Sequence, residues 1–127
     1  NVRFIGIIDR KHMNEVYNAA DVLFMPSHNE MFPMTILEAV NTRKPLVIRS
    51  LELYEDILFD KYVRCADVKE FNAEIRKLKD DKQYFEQSAA RSEQLSTYYS
   101  KDYVLNLWEK FYQEILQREQ GYENEER

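Results

Sequence analysis

Glycine is scarce in this chain. There are two in 127 residues, Gly6 and Gly121, both away from the middle. Phosphate-binding loops of the G-x-G-x-x-G or G-x-x-x-x-G-K kind need closely spaced glycines, so neither is possible here. Cys65 is the single cysteine, which excludes a disulfide within the chain and a cysteine-based zinc site. Its simplest reading is a small buried hydrophobe. His12 and His28 are far apart and lack clustered partners, so no metal site is expected. Basic residues are outnumbered, 18 Lys and Arg against 23 Asp and Glu, for a net charge of −5. A nucleic-acid-binding domain shows the opposite excess. No apolar run approaches the ~18 residues of a membrane span, and no signal-peptide pattern is present. A cytoplasmic location is the expectation. The chain opens on Asn1 and enters a strand-like run at once, so it reads as a fragment of something longer.

What is present suits a soluble domain with a real core: 44% hydrophobic and 32% charged residues. Residues 2–8 are β-rich and apolar and read as a buried strand. Residues 11–20 read as a helix, with Met13, Val16, Tyr17 and Ala20 on one face. Residues 21–25 form a second strand, stopped by Pro26. A short helix over 35–42 and a third strand over 46–48 follow. Residues 51–59 look helical, with Leu51, Tyr54, Ile57 and Leu58 in step, and 62–65 read as a fourth strand. Asp67 is placed to cap a helix running to Leu78; a further helix spans 82–95, with Asp80-Asp81 read as a helix cap. In the last helix Val104, Leu107, Trp108, Phe111, Tyr112, Ile115 and Leu116 recur at helical spacing, with Ser100 or Asp102 to cap it. Such a stripe is expected to pack on the protein's own core, a partner-binding face being the alternative. Alternating strands and helices with short, fully apolar strands imply a Rossmann-like α/β fold. It would be a parallel sheet of about four strands, flanked by helices and ending in a long C-terminal helix.

Residues 30–38, Glu-Met-Phe-Pro-Met-Thr-Ile-Leu-Glu, are the most informative stretch. Two carboxylates stand eight apart around a turn and a helix opening, directly after a strand. Glu38 has Ile36, Leu37, Ala39 and Val40 around it, so its charge lies near buried surface and needs a partner. A strand end followed by a helix N-terminus is where open α/β sheets bind phosphorylated ligands. The same residues also fit capping boxes, Ser27-x-x-Glu30 and Thr35-x-x-Glu38, each worth roughly 1 kcal/mol. On the residues alone both readings stand.

The order of the pieces is more specific than any one of them. F-I-G, then Y-N-A-A-D-V-L-F-M-P-S, then E-M-F-P-M-T-I-L-E-A, then K-P-L-V resembles the C-terminal domain of retaining glycosyltransferases of GT-B architecture. Their signature there is Glu-x7-Glu after a strand ending in Pro-Ser. The likeness is close over residues 2 to about 60 and extends in outline to about 116. Met31 and Pro33 replace two glycines usual in that family, and Arg49-Ser50-Leu51-Glu52 stands where a Gly-Gly is usual. In these departures the chain is most similar to bacterial enzymes that add hexose to diacylglycerol or glucosyl-diacylglycerol.

The resemblance implies a partial, truncated C-terminal nucleotide-sugar-binding domain over residues 1–118; the polar, acidic composition after it reads as a frayed tail over 119–127. The resemblance also implies a UDP-hexose donor, no cofactor and no metal. Glu38 would accept the ribose hydroxyls. Glu30 would be the catalytic residue, holding donor-sugar hydroxyls. Backbone N–H groups of Phe32, Met34, Thr35 and Ile36 would face the sugar and phosphates. The acceptor, a lipid or glycolipid, would be met through an N-terminal domain outside this chain, at the inner face of the cell membrane with peripheral association. The fragment alone would be inactive. Two strands of the family's sheet would also be missing, so residues 2–8 are expected to move in beside residues 21–25. Two rival functions remain at this level. One is a catalytically silent glycosyltransferase-like binding or scaffold module, the other an α/β nucleotide-binding protein without sugar chemistry.

Overall fold

The computed structural model describes residues 2–125, with side chains described as far as Arg118. The chain divides into two compact units, residues 1–96 and 97–127.

The first unit is an α/β layer structure. A 3-10 turn at Arg10–His12 is capped by Asp9, whose side chain accepts from the Lys11 N–H at 3.1 Å. It leads into α1 (Met13–Ala19). Strand β1 (Leu23–Met25) is followed by α2 (Met34–Val40), β2 (Leu46–Arg49), α3 (Leu53–Leu58) and β3 (Val63–Cys65). Two longer helices close the unit, α4 (Val68–Asp80) and most of α5 (Lys82–Tyr98). The strands are parallel in the order β1-β2-β3, with Leu23 opposite Leu46 and Val47 opposite Val63. Asp67 caps α4 by accepting from the N–H groups of Lys69 and Glu70 (2.8 and 2.9 Å), and Asp81 caps α5 through the Tyr84 N–H at 2.9 Å.

The central strand β2 is the core. Leu46, Val47 and Ile48 are all buried, as a parallel strand covered on both faces requires. Val47 joins Val63, Cys65, Phe71 and Leu78, so α4 seals that face, and Leu46 and Ile48 point to the other. Ile48 is 0% exposed. We expect Ile48→Ala to destabilise the fold by about 2–5 kcal/mol, the range for a core Ile truncated to Ala. Chemical denaturation of the full-length protein would measure it.

Two expectations fail here. The sheet has three described strands, and residues 2–8 are not the fourth. They make no ladder with β1, and Phe4 is 97% exposed. The expected rearrangement beside residues 21–25 is therefore absent. The physical reason is local. Gly6 sits at φ +73°, a left-handed turn that interrupts an extended run at its middle. A short segment that neither pairs nor buries a face has nothing to offset its ordering entropy.

The second correction concerns α6 (Lys101–Glu125), in the second unit. Ser100, not Asp102, caps it: the Tyr103 N–H reaches the Ser100 hydroxyl at 3.3 Å. Its apolar stripe is not core. Leu107, Trp108, Phe111, Tyr112 and Leu116 are exposed, Trp108 by 53%. The rings pack on one another instead, Trp108 stacking on Tyr112 with centroids 5.8 Å apart. Among the described residues this unit holds one long helix and no second layer, so an amphipathic face there has nothing of its own to bury against. The helical backbone continues to Glu125; the expectation of a frayed tail falls largely on side chains and residues outside the described ones.

Candidate functional site

Pro26 ends the β1 ladder, and the loop after it carries Glu30 to the C-terminal edge of the parallel sheet. This is the edge where open α/β sheets place their ligands. Arg49, the last residue of β2, holds the edge together. Its Nε donates to the Pro26 carbonyl at 2.8 Å and one terminal nitrogen donates to the Ala66 carbonyl at 2.6 Å. Its guanidinium also lies 5.5 Å from the centre of the Phe71 ring. One side chain thus ties the exits of β1 and β3 to the exit of β2. In the sequence Arg49 was visible only as a departure from the usual glycines. A cation closing an otherwise apolar strand was the available signal.

Glu30 lines a shallow concavity of about 360 Å³ with Asn29, Met31 and Phe32. Beneath this edge lies Tyr54 of α3, 1% exposed. Its hydroxyl makes a weak bond to the Met25 sulfur at 3.8 Å. Burial pushes the Tyr54 phenol up to about 12, and the Glu30 charge pushes it in the same direction. Tyr54 therefore stays protonated, its hydroxyl turned to the Met25 sulfur. Sequence periodicity placed Tyr54 in the core but gave no sign of this second relation.

Glu38 stands on the exposed side of α2, while its neighbours Ile36, Ala39 and Val40 are buried. It is not in the concavity lined by Glu30. Its partner comes from α1: the Tyr17 hydroxyl donates to Glu38 Oε2 at 2.6 Å. Burial raises the Tyr17 phenol to about 12, reinforced by the bond to Glu38 and its charge, with the Thr35 hydroxyl acting in the opposite direction. Sequence reading called for a partner for Glu38 and put Tyr17 on the inward face of α1, without joining the two.

The capping-box readings do not describe this structure. Pro33, not Thr35, precedes α2, and no side chain caps that end. Thr35 is already inside the helix, and Glu38 reaches Tyr17 and not back along its own helix. No helix begins after Ser27, so Ser27-x-x-Glu30 caps nothing. Of the backbone donors at the opening of α2, the Ile36 N–H already donates to the Pro33 carbonyl at 3.0 Å. The Ile36 side chain is buried. Met34 and Thr35 occupy first-turn positions, whose N–H groups no intrahelical carbonyl can satisfy. Phe32 belongs to the Glu30 concavity. Among the described residues no group of three or more His, Cys, Asp or Glu is arranged to hold a metal ion. His12 instead contacts Glu15 at 3.1 Å.

Residues 1–96 match the family described as glycosyl transferases group 1. The chain belongs to that family. It is 34% identical over 113 residues to the alpha-galactosylglucosyldiacylglycerol synthase of Streptococcus pneumoniae (strain ATCC BAA-255 / R6), covering 89% of this chain and 30% of that protein. It is 31% identical over 61 residues to the processive diacylglycerol alpha-glucosyltransferase of Acholeplasma laidlawii, covering 48% of this chain and 18% of that protein. The chain therefore spans about 30% or less of the length of these relatives.

Proposed function

We propose that this chain is the donor-binding part of a retaining glycosyltransferase that moves a hexose from a UDP-sugar to a glycerolipid or glycolipid. One observation carries the reading. In a group 1 chain, Glu30 stands in the loop after β1 and Glu38 on the helix that follows, the latter bonded by the Tyr17 hydroxyl. The chemistry suits the task. A carboxylate binds adjacent hydroxyls well, because each of its oxygens accepts. Glu38 takes the ribose and Glu30 the sugar. As the glycosidic bond breaks, the diphosphate gains negative charge. First-turn N–H groups of Met34 and Thr35 point to where that charge develops, and donors so placed stabilise the transition state more than the ground state.

The acceptor and further groups that neutralise the diphosphate belong to parts of the protein outside this chain, so the chain by itself transfers nothing. The acceptor class rests on the two relatives, both named as glycosyltransferases or synthases of diacylglycerol lipids. A lipid acceptor calls for work at a membrane surface, in keeping with peripheral association on its cytoplasmic face. No helix among the described residues is long and apolar enough to cross a membrane.

Full-length protein should bind UDP in calorimetry and transfer labelled hexose from UDP-glucose or UDP-galactose to diacylglycerol or glucosyl-diacylglycerol in mixed micelles. No binding of UDP would overturn the donor reading. Binding without transfer to any lipid would mark the protein as a silent binding module. The reading also holds that no resident metal takes part. Transfer in excess EDTA should match transfer with added magnesium, and a loss of rate with the chelator would contradict it.

A further inference from the structure

We propose that Tyr17 is a positioning residue for the donor nucleotide, holding the Glu38 carboxylate in the orientation that receives the ribose. The inference rests on the donor reading above and adds to it a residue outside the Glu-x7-Glu signature. Tyr17 and Glu38 lie 21 residues apart on different helices, and the bond between them is 2.6 Å long. Glu38 has no other hydrogen-bond partner among the described residues that would set its rotamer. On the exposed side of a helix, a glutamate with three free torsions samples many orientations, and ordering it on ligand binding costs entropy. One short bond from a half-buried phenol removes most of that freedom in advance.

The bond costs the ligand little. An ionised carboxylate offers about four lone-pair directions over its two oxygens, and Tyr17 uses one. Oε1 and one direction on Oε2 remain for a pair of adjacent hydroxyls. The phenol also stays in the donor state throughout the neutral range, since burial and Glu38 itself hold its proton. Tyr17 is therefore a fixed support and not a titrating group. It touches Glu38 and no reacting atom, so its effect belongs to binding and not to the chemical step.

Tyr17→Phe in the full-length protein is the test, because it keeps the ring that packs α1 and removes only the hydroxyl. UDP affinity should fall on the order of 3- to 10-fold, the scale of one hydrogen bond. KM for UDP-glucose should rise in step, with kcat within about twofold and Tm unchanged. In a Glu38→Ala background the same change should cost nothing further, because the acceptor that Tyr17 bonds is already gone. Wild-type protein that binds UDP while Tyr17→Phe binds it equally well would overturn the inference. So would an equal loss with and without Glu38→Ala, or a fall in Tm without a change in affinity, which would mark a packing role only. Wild-type protein that does not bind UDP would instead refute the donor reading, and this assignment with it.

Discussion

Replacing Glu30 with alanine in the full-length protein should cut turnover by about 10²–10³-fold, the usual loss when one preorganised polar contact is removed from a reacting centre. UDP affinity should stay within about threefold. The separation follows from position. Glu30 lies in the loop after β1, in a concavity shared with Asn29, Met31 and Phe32. Glu38 lies apart from it, on the exposed side of α2. A group assigned to the sugar, and not to the nucleotide, acts after UDP is already held, so its loss shows in kcat. Single-turnover rates with UDP-glucose, set beside UDP titrations, check both halves. A Glu30→Ala protein that transfers at the normal rate but no longer binds UDP would reverse the division of labour. Tyr54 sharpens the expectation. With Glu30 gone, the buried phenol loses one of the charges that raise it and should titrate below about 12.

Replacing Glu38 with glutamine should produce the complementary result. UDP binding should weaken by about 1–3 kcal/mol, the range for hydrogen bonds to a charged group, or about 5- to 150-fold in Kd. The change preserves shape and keeps one acceptor oxygen, but it puts an NH₂ where a ribose hydroxyl would donate and removes the charge. Its fold cost should be small, because the side chain is exposed and its only described bond is to Tyr17. Isothermal titration with UDP and a thermal melt of the same protein separate the two effects. Unchanged UDP affinity would sink the ribose assignment.

Much of the first unit was legible because its signals are local. Pro26 and Pro45 bracket strands by removing donors, Asp67 and Asp81 announce helix starts, and the apolar run at 46–48 has the composition of a strand buried on both faces. The two glutamates were legible as a spaced pair because a strand end and a helix start leave few ways to arrange eight residues. Residues 2–8 misled for the opposite reason. Their composition is that of a strand, but a strand exists only with a neighbour to pair with, and pairing is not a local property. The α6 stripe misled in the same way: helical periodicity shows that a face is apolar, not what covers it.

The sequence by itself determined the alternation of strands and helices, the family, and the spaced pair of carboxylates to which the proposed chemistry is assigned. Tertiary structure alone decided who stands beside them. Tyr17 meets Glu38 across 21 residues, Tyr54 of α3 comes within reach of the Glu30 charge, and Arg49 joins the exits of three strands through Pro26 and Ala66. The Arg49 contacts depend on the parallel register of β1, β2 and β3, which brings the three strand exits to one sheet edge, and the Tyr17–Glu38 bond on the packing of α1 against α2. Spacing along a chain carries information about neighbours within a helical turn or a strand pair. It carries none about a hydroxyl and a carboxylate that become neighbours only when separate helices dock.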